Sequence, residues 1–110
     1  MISEKSLIEL NKNFDKGIIV NNSSLDFALS SIQNTKDWIK QLSYLVRALL
    51  IDHVFQEGNK RTTAALILSF FEAHKVGYDS YKIDKIIIEI ISKNINSIEQ
   101  IRRKLKDAIR

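Results

Sequence analysis

Apolar residues return along this chain at helical rather than alternating spacing. The clearest case is Trp38, Leu42, Leu45, Val46 and Leu49, which share one helical stripe with His53 at its far end. That stripe predicts a central helix, opened by Thr35 as its N-cap. Upstream, Ser6 and Glu9 have the spacing of a capping box, so a first helix is predicted from Ser3 or Ser6 to about Phe14. A short helix opening at Ser23 or Ser24 would bury Leu25, Leu29 and Ile32. Between these two the triplet Ile18, Ile19, Val20 is β-branched and lies between Gly17 and Asn21-Asn22, which predicts an extended or hairpin-like piece.

After Gly58-Asn59 the stretch from Thr62 to His74 is apolar on all sides, as expected of a helix buried from several directions, with Gly77 as its stop. Two more helices are predicted. One runs from about Ile83 to Ser92; the other opens on Ser97 and Gln100 in capping-box spacing and buries Ile98, Ile101, Leu105 and Ile109. Proline is absent and glycine occurs three times. With so few breakers the fold class is all-α, a compact bundle of about six helices with a short extended flap, and residues 1–110 form a single domain.

Composition narrows the function classes. The 110 residues are 45% hydrophobic and 27% charged, the balance of a globular domain able to fold without metal or disulfide staples. There is no cysteine, hence no thiolate nucleophile or thiolate metal site and no sign of an oxidising compartment. The N-terminal stretch MISEKSLIEL has no basic start followed by an apolar run, and the longest apolar runs, AALILSFF and IIIEII, are much shorter than a membrane span, so a cytoplasmic protein without membrane contact is expected. A net charge of +4 and pI near 9.4 favour anionic partners only weakly. Cations in RRKLKDAIR are expected in a last helix on dipole grounds, so nucleic acid is not the expected partner.

One stretch departs from the apolar background: HVFQEGNKRTTA, His53 to Ala64. Asn59 reads as an N-cap after a turn at Gly58, which sets Lys60 and Arg61 in the first turn of the next helix. Cations there face the positive end of the helix dipole, unfavourable by a few tenths to about 1 kcal/mol. A bound anion reverses that sign, because free amides, dipole and both side chains then point at one phosphate. Glu57 is a hard oxygen ligand suited to a Mg²⁺ ion shared with phosphates, and His53 is of the residue type that most often serves as a general base. Taken singly these residues have ordinary roles: a histidine at a helix end, a solvated glutamate, a turn, two surface cations. Trp38 and the Phe70-Phe71 pair read as core, and His74 as an exposed residue at a helix end.

The stretch HVFQEGNKRT resembles the signature loop of the Fic/Doc superfamily, His-x-Phe-x-Asp/Glu-Gly-Asn-Gly/Lys-Arg, and its lysine resembles the death-on-curing toxin branch. A weaker resemblance extends over ISEKSLIELN, YLVRALLIDH and the apolar helix after the motif. The resemblance implies His53 as the base that activates a target hydroxyl, Glu57 as magnesium ligand, and Gly58 and Asn59 as anion-hole backbone and cap. Lys60 and Arg61 would be ligands of the phosphates of ATP. It also implies a flap near Ile18 to Asn21 that docks the target by strand addition. Members that transfer AMP usually have glycine in place of Lys60 and arginine in place of Ala64. The death-on-curing branch instead moves the terminal phosphate of ATP to a threonine of elongation factor Tu, which makes a Ser/Thr hydroxyl of a protein target, a translation factor among the candidates, the implied acceptor. The family's inhibitory pattern, Ser/Thr-x-x-x-Glu-Gly/Asn, finds only Glu57-Gly58, with His53 where Ser or Thr belongs, so an antitoxin inhibitor acting in trans is expected. Transfer of AMP or another nucleotide moiety by the same site and a non-catalytic helical interaction module remain the alternatives.

Overall fold

Six helices follow one another as α1 (Glu4–Asn11), α2 (Asn22–Ile32), α3 (Trp38–Leu50), α4 (Asn59–Ala73), α5 (Ser80–Ser92) and α6 (Ile98–Asp107) in the computed structural model, which describes residues 2–110. Among the described residues there is no β-strand, only the isolated antiparallel bridges Ile19 to Phe55 and Tyr78 to Ile109. The all-helical class and the number of helices agree with the apolar periodicity.

Helix starts are fixed by short polar side chains, though not always the expected ones. Ser3, not Ser6, caps α1, and Ser6 is its capping-box partner in place of Glu9. Asn21 caps α2 by accepting the Ser24 N–H, two or three residues earlier than Ser23 or Ser24 would. Asp37 rather than Thr35 caps α3, its carboxylate accepting the N–H groups of Ile39 and Lys40; an ionised acceptor is favoured at the positive end of a helix. Asp79 and Ser97 cap α5 and α6. Gly77 does not end α4. His74 is the C-cap and Lys75 turns left-handed at φ 56°, as Asn94 does at φ 50° beyond α5.

The amphipathic stripe of α3 makes it the central helix. It lies against α2, α4 and α6 and buries Ile39, Leu42, Leu45, Val46, Ala48, Leu49 and Leu50. Helix α4 is enclosed by α1, α3 and α5, which accounts for its apolar residues on every side. Its Phe71 is fully buried and meets Trp38 edge to face at 6.0 Å. Trp38 is half-buried, and the exposed His74 ring stacks on it at 4.1 Å, nearly parallel. No helix among the described residues is long and apolar enough to cross a membrane.

Asp37 does more than cap. Arg102 of α6 reaches it at 2.6 Å, tying the last helix to the start of the central one. Burial pushes the Asp37 carboxyl up, but the Arg102 guanidinium and the Lys40 and Ile39 amides outweigh it, so the group lies below its ordinary 3.8. A depressed carboxyl stabilises the fold fully above its unfolded-state value, about 3.9, and loses that contribution as pH falls through the lower folded value. Asp37→Asn keeps the cap and removes the charge; its stability deficit is expected to be about 0.5–1 kcal/mol near neutral pH and to shrink below about pH 4. Urea titrations of both proteins across that range measure it, and a deficit independent of pH would contradict the ion pair's role.

Candidate active site

The loop between α3 and α4 is built inward from its apolar residues. Helix α3 stops at Leu50 with Ile51 as C-cap, after which Val54 and Phe55 turn into the core with 0% and 1% of their surface exposed. His53, expected at the end of the helix, belongs to this loop and is exposed, with φ 51°. A left-handed residue is unfavourable by about 1 kcal/mol for most side chains, and histidine is among those that tolerate it. The conformation is held from both sides. The Asp52 carbonyl accepts from Asn21 Nδ2 at 2.9 Å, and the Val54 carbonyl accepts the Val20 N–H at 2.8 Å.

The Gly58-Asn59 step also differs from the expected arrangement. Gly58, at φ 78° and ψ 13°, is the N-cap of α4, and Asn59 is already helical. The Asn59 side chain reaches back instead, accepting the Phe55 N–H at 3.1 Å and donating to the Phe55 carbonyl at 2.8 Å. One amide thus substitutes for a second backbone strand and cannot cap. A glycine cap has no side chain to offer, so α4 begins without a side-chain acceptor, whereas each of the other five helices has one. Among the described residues the N–H groups of Asn59, Lys60 and Arg61 meet no hydrogen-bond partner. These are the free donors at the positive end of a helix that an anion requires.

All six residues singled out from the sequence, His53, Glu57, Gly58, Asn59, Lys60 and Arg61, line one cleft of about 630 Å³. His53, Glu57, Lys60 and Arg61 are exposed, and among the described residues none of them forms an ion pair. Glu57 and Asp15 are the carboxylates of the cleft, and among the described residues no three His, Asp or Glu side chains cluster as a metal site. A divalent ion at Glu57 would take its remaining ligands from phosphate and water, as Mg²⁺ commonly does.

The sequence reading missed the other walls: Phe14 and Asp15 beyond α1, Leu50, Gln56, and Ile91 from α5. Nothing local marks Asp15, which faces the loop only because α1 lies against α4. Asn11 was missed as well, although a polar residue one turn after the buried Leu7 was a visible signal. A larger groove of about 880 Å³, lined by Leu29, Ile32, Phe70 and His74 among others, holds none of the loop residues and little titratable chemistry.

The segment after Gly17 forms the cleft's neighbour. Gln56 N–H donates to the Ile18 carbonyl at 2.9 Å, and the Val20 N–H donates to the Val54 carbonyl, so the predicted extended piece pairs with the loop itself rather than forming its own hairpin. In this antiparallel pattern the N–H and C=O of Ile19 point away from the loop. Ile18 and Val20 are exposed at 44% and 60%, which leaves an apolar edge beside His53. No family model matches the chain, and no curated protein matches it.

Proposed function

We propose that this protein is a phosphotransferase that moves the terminal phosphate of ATP, with Mg²⁺, to a Ser or Thr hydroxyl of a protein target. The observation that carries the reading is the convergence of an exposed histidine, a carboxylate and two unpaired cations on the start of α4, which has no side-chain cap. An exposed base beside an anion site suits group transfer to an incoming hydroxyl. A module that only bound phosphate would have no use for it.

The roles divide by position. The amides of Asn59, Lys60 and Arg61 and the two side chains hold the phosphates, and Glu57 would hold the magnesium ion, which would supply positive charge to offset that of the phosphates. His53 takes the proton of the target hydroxyl as that oxygen bonds to the terminal phosphorus; the bond to the bridging oxygen breaks and ADP leaves with the electron pair. The free Ile19 edge is the place for an extended target segment to add as a strand. The resemblance to the death-on-curing branch supports a translation factor as target, an antitoxin as inhibitor in trans and a cytoplasmic site of action.

Transfer of AMP is the second reading, since free amides and cations accept either phosphate. Ala64, where AMP-transferring relatives of this motif usually carry arginine, weighs against it. Incubation of the protein with Mg²⁺, candidate translation factors and ATP labelled at either end separates the two. Label from the γ-phosphate on the target is the expected result; label from the α-phosphate would replace phosphate transfer with AMP transfer.

A further inference from the structure

Asn11 is fully buried, at 0% exposure, yet every polar atom of its side chain is matched. Its Nδ2 donates to the Glu57 carbonyl and to Thr62 Oγ1, each at 3.0 Å, and its Oδ1 accepts the Gly17 N–H at 2.8 Å. One side chain from the end of α1 therefore touches the loop before α4, the first turn of α4 and the base of the flap. Buried amides of this kind are retained at a cost in desolvation that only full hydrogen bonding offsets.

Both segments it holds turn through left-handed glycines, Gly17 at φ 72° and Gly58 at φ 78°. A Cβ added at Gly58 would stand 3.1 Å from Asn11 Nδ2, tight enough to move it. The Glu57 carbonyl is drawn inward to Asn11, and in a trans peptide the N–H lies on the opposite side from the C=O. The Gly58 N–H is thereby turned away from Asn11. A flip of that peptide would set the Gly58 N–H against Asn11 Nδ2, donor against donor, and disturb the turn from which α4 starts.

We propose that Asn11 is a positioning residue: it sets the Glu57–Gly58 peptide so that the start of α4 presents amides to phosphate, and fixes the flap in register with the same loop. The consequence for nucleotide binding rests on the phosphotransferase reading; the control of loop and flap does not.

Asn11→Asp is the selective variant. It keeps the shape and the acceptor for Gly17 but sets a carboxylate oxygen against the Glu57 carbonyl. Thr62→Val is the control, since it removes only the bond to α4. Hydrogen exchange by NMR and calorimetric titration with MgATP are the two readouts. For Asn11→Asp, faster exchange at the hydrogen-bonded Phe55, Gln56 and Val20 amides of loop and flap and about tenfold or more weaker MgATP binding are expected, as for loss of one buried hydrogen bond. Thr62→Val should lower the melting temperature yet leave both readouts within about twofold of the parent. Equal changes in the two variants, or unchanged exchange in Asn11→Asp, would reduce Asn11 to an ordinary core residue. If the parent protein binds no MgATP while the exchange contrast holds, the nucleotide reading fails and the positioning role stands. Should Asn11→Asp not fold, the parent supplies the test: the Gly17 amide should be protected to the same degree as the Val20 amide, and free exchange at Gly17 overturns the proposal.

Discussion

His53→Ala is expected to slow phosphate transfer by about 10²–10⁴-fold, the usual contribution of a positioned general base, with stability changed by less than about 0.5 kcal/mol. The selectivity follows from its surroundings. The side chain is exposed and, among the described residues, makes no hydrogen bond or ion pair, so truncation leaves no buried partner unsatisfied. Nucleotide affinity should also be unchanged, because the phosphates are held by α4 and not by His53. Single-turnover rates with calorimetric MgATP binding measure both quantities. His53→Gly sharpens the test, since glycine accepts φ 51° freely: it should be at least as stable as the alanine variant and equally slow. A variant that lost rate and nucleotide affinity together would place His53 among the phosphate ligands instead.

Phe55→Ala is expected to produce the largest loss of stability, about 3–5 kcal/mol, as for truncation of a fully buried aromatic side chain. The ring is 1% exposed and sits under the loop between α3 and α4. Its backbone N–H and C=O are both taken by Asn59, and it forms the bridge to Ile19 of the flap. Loss of the ring therefore loosens the loop, the start of α4 and the flap together. Against a total stability of about 5–15 kcal/mol the variant should be near unfolding, and activity should fall even at temperatures where it remains folded. Urea titration measures the first effect and transfer assays in the cold the second; a deficit below about 1 kcal/mol would show that the ring does not anchor the loop.

How much could be read from the sequence depended on range. The site residues from His53 to Arg61 could be assembled from the chain alone because they are neighbours in it, and a helix start imposes geometry on whatever follows a glycine turn. The central place of α3 was legible for a similar reason, its stripe being continuous from Trp38 to Leu49. Caps were less legible where two candidates stood together. Thr35 and Asp37 both precede the stripe, and the choice fell to Asp37 through Arg102, which is 65 residues away in sequence. Asn59 looked like a cap because asparagine usually is one; its pairing with Phe55 depends on a loop conformation that Phe55 itself creates by entering the core. Asp15 and Asn11 reach the site through the contact of α1 with α4, a tertiary relation that local pattern does not encode. Lys75 takes the left-handed turn expected of Gly77, since the chain reverses just after α4 and before the glycine is reached.

The central claim is that the cleft at the start of α4 transfers phosphate, and mass spectrometry of cell extract tests it most directly. Purified protein, Mg²⁺ and ATP are added to extract, beside a parallel sample containing His53→Ala. The expected result is the mass of one phosphate gained on a Ser or Thr of a single abundant protein, a translation factor foremost, and absent with His53→Ala. No change in any protein's mass that depends on His53 would contradict the claim and leave the cleft as an anion-binding surface.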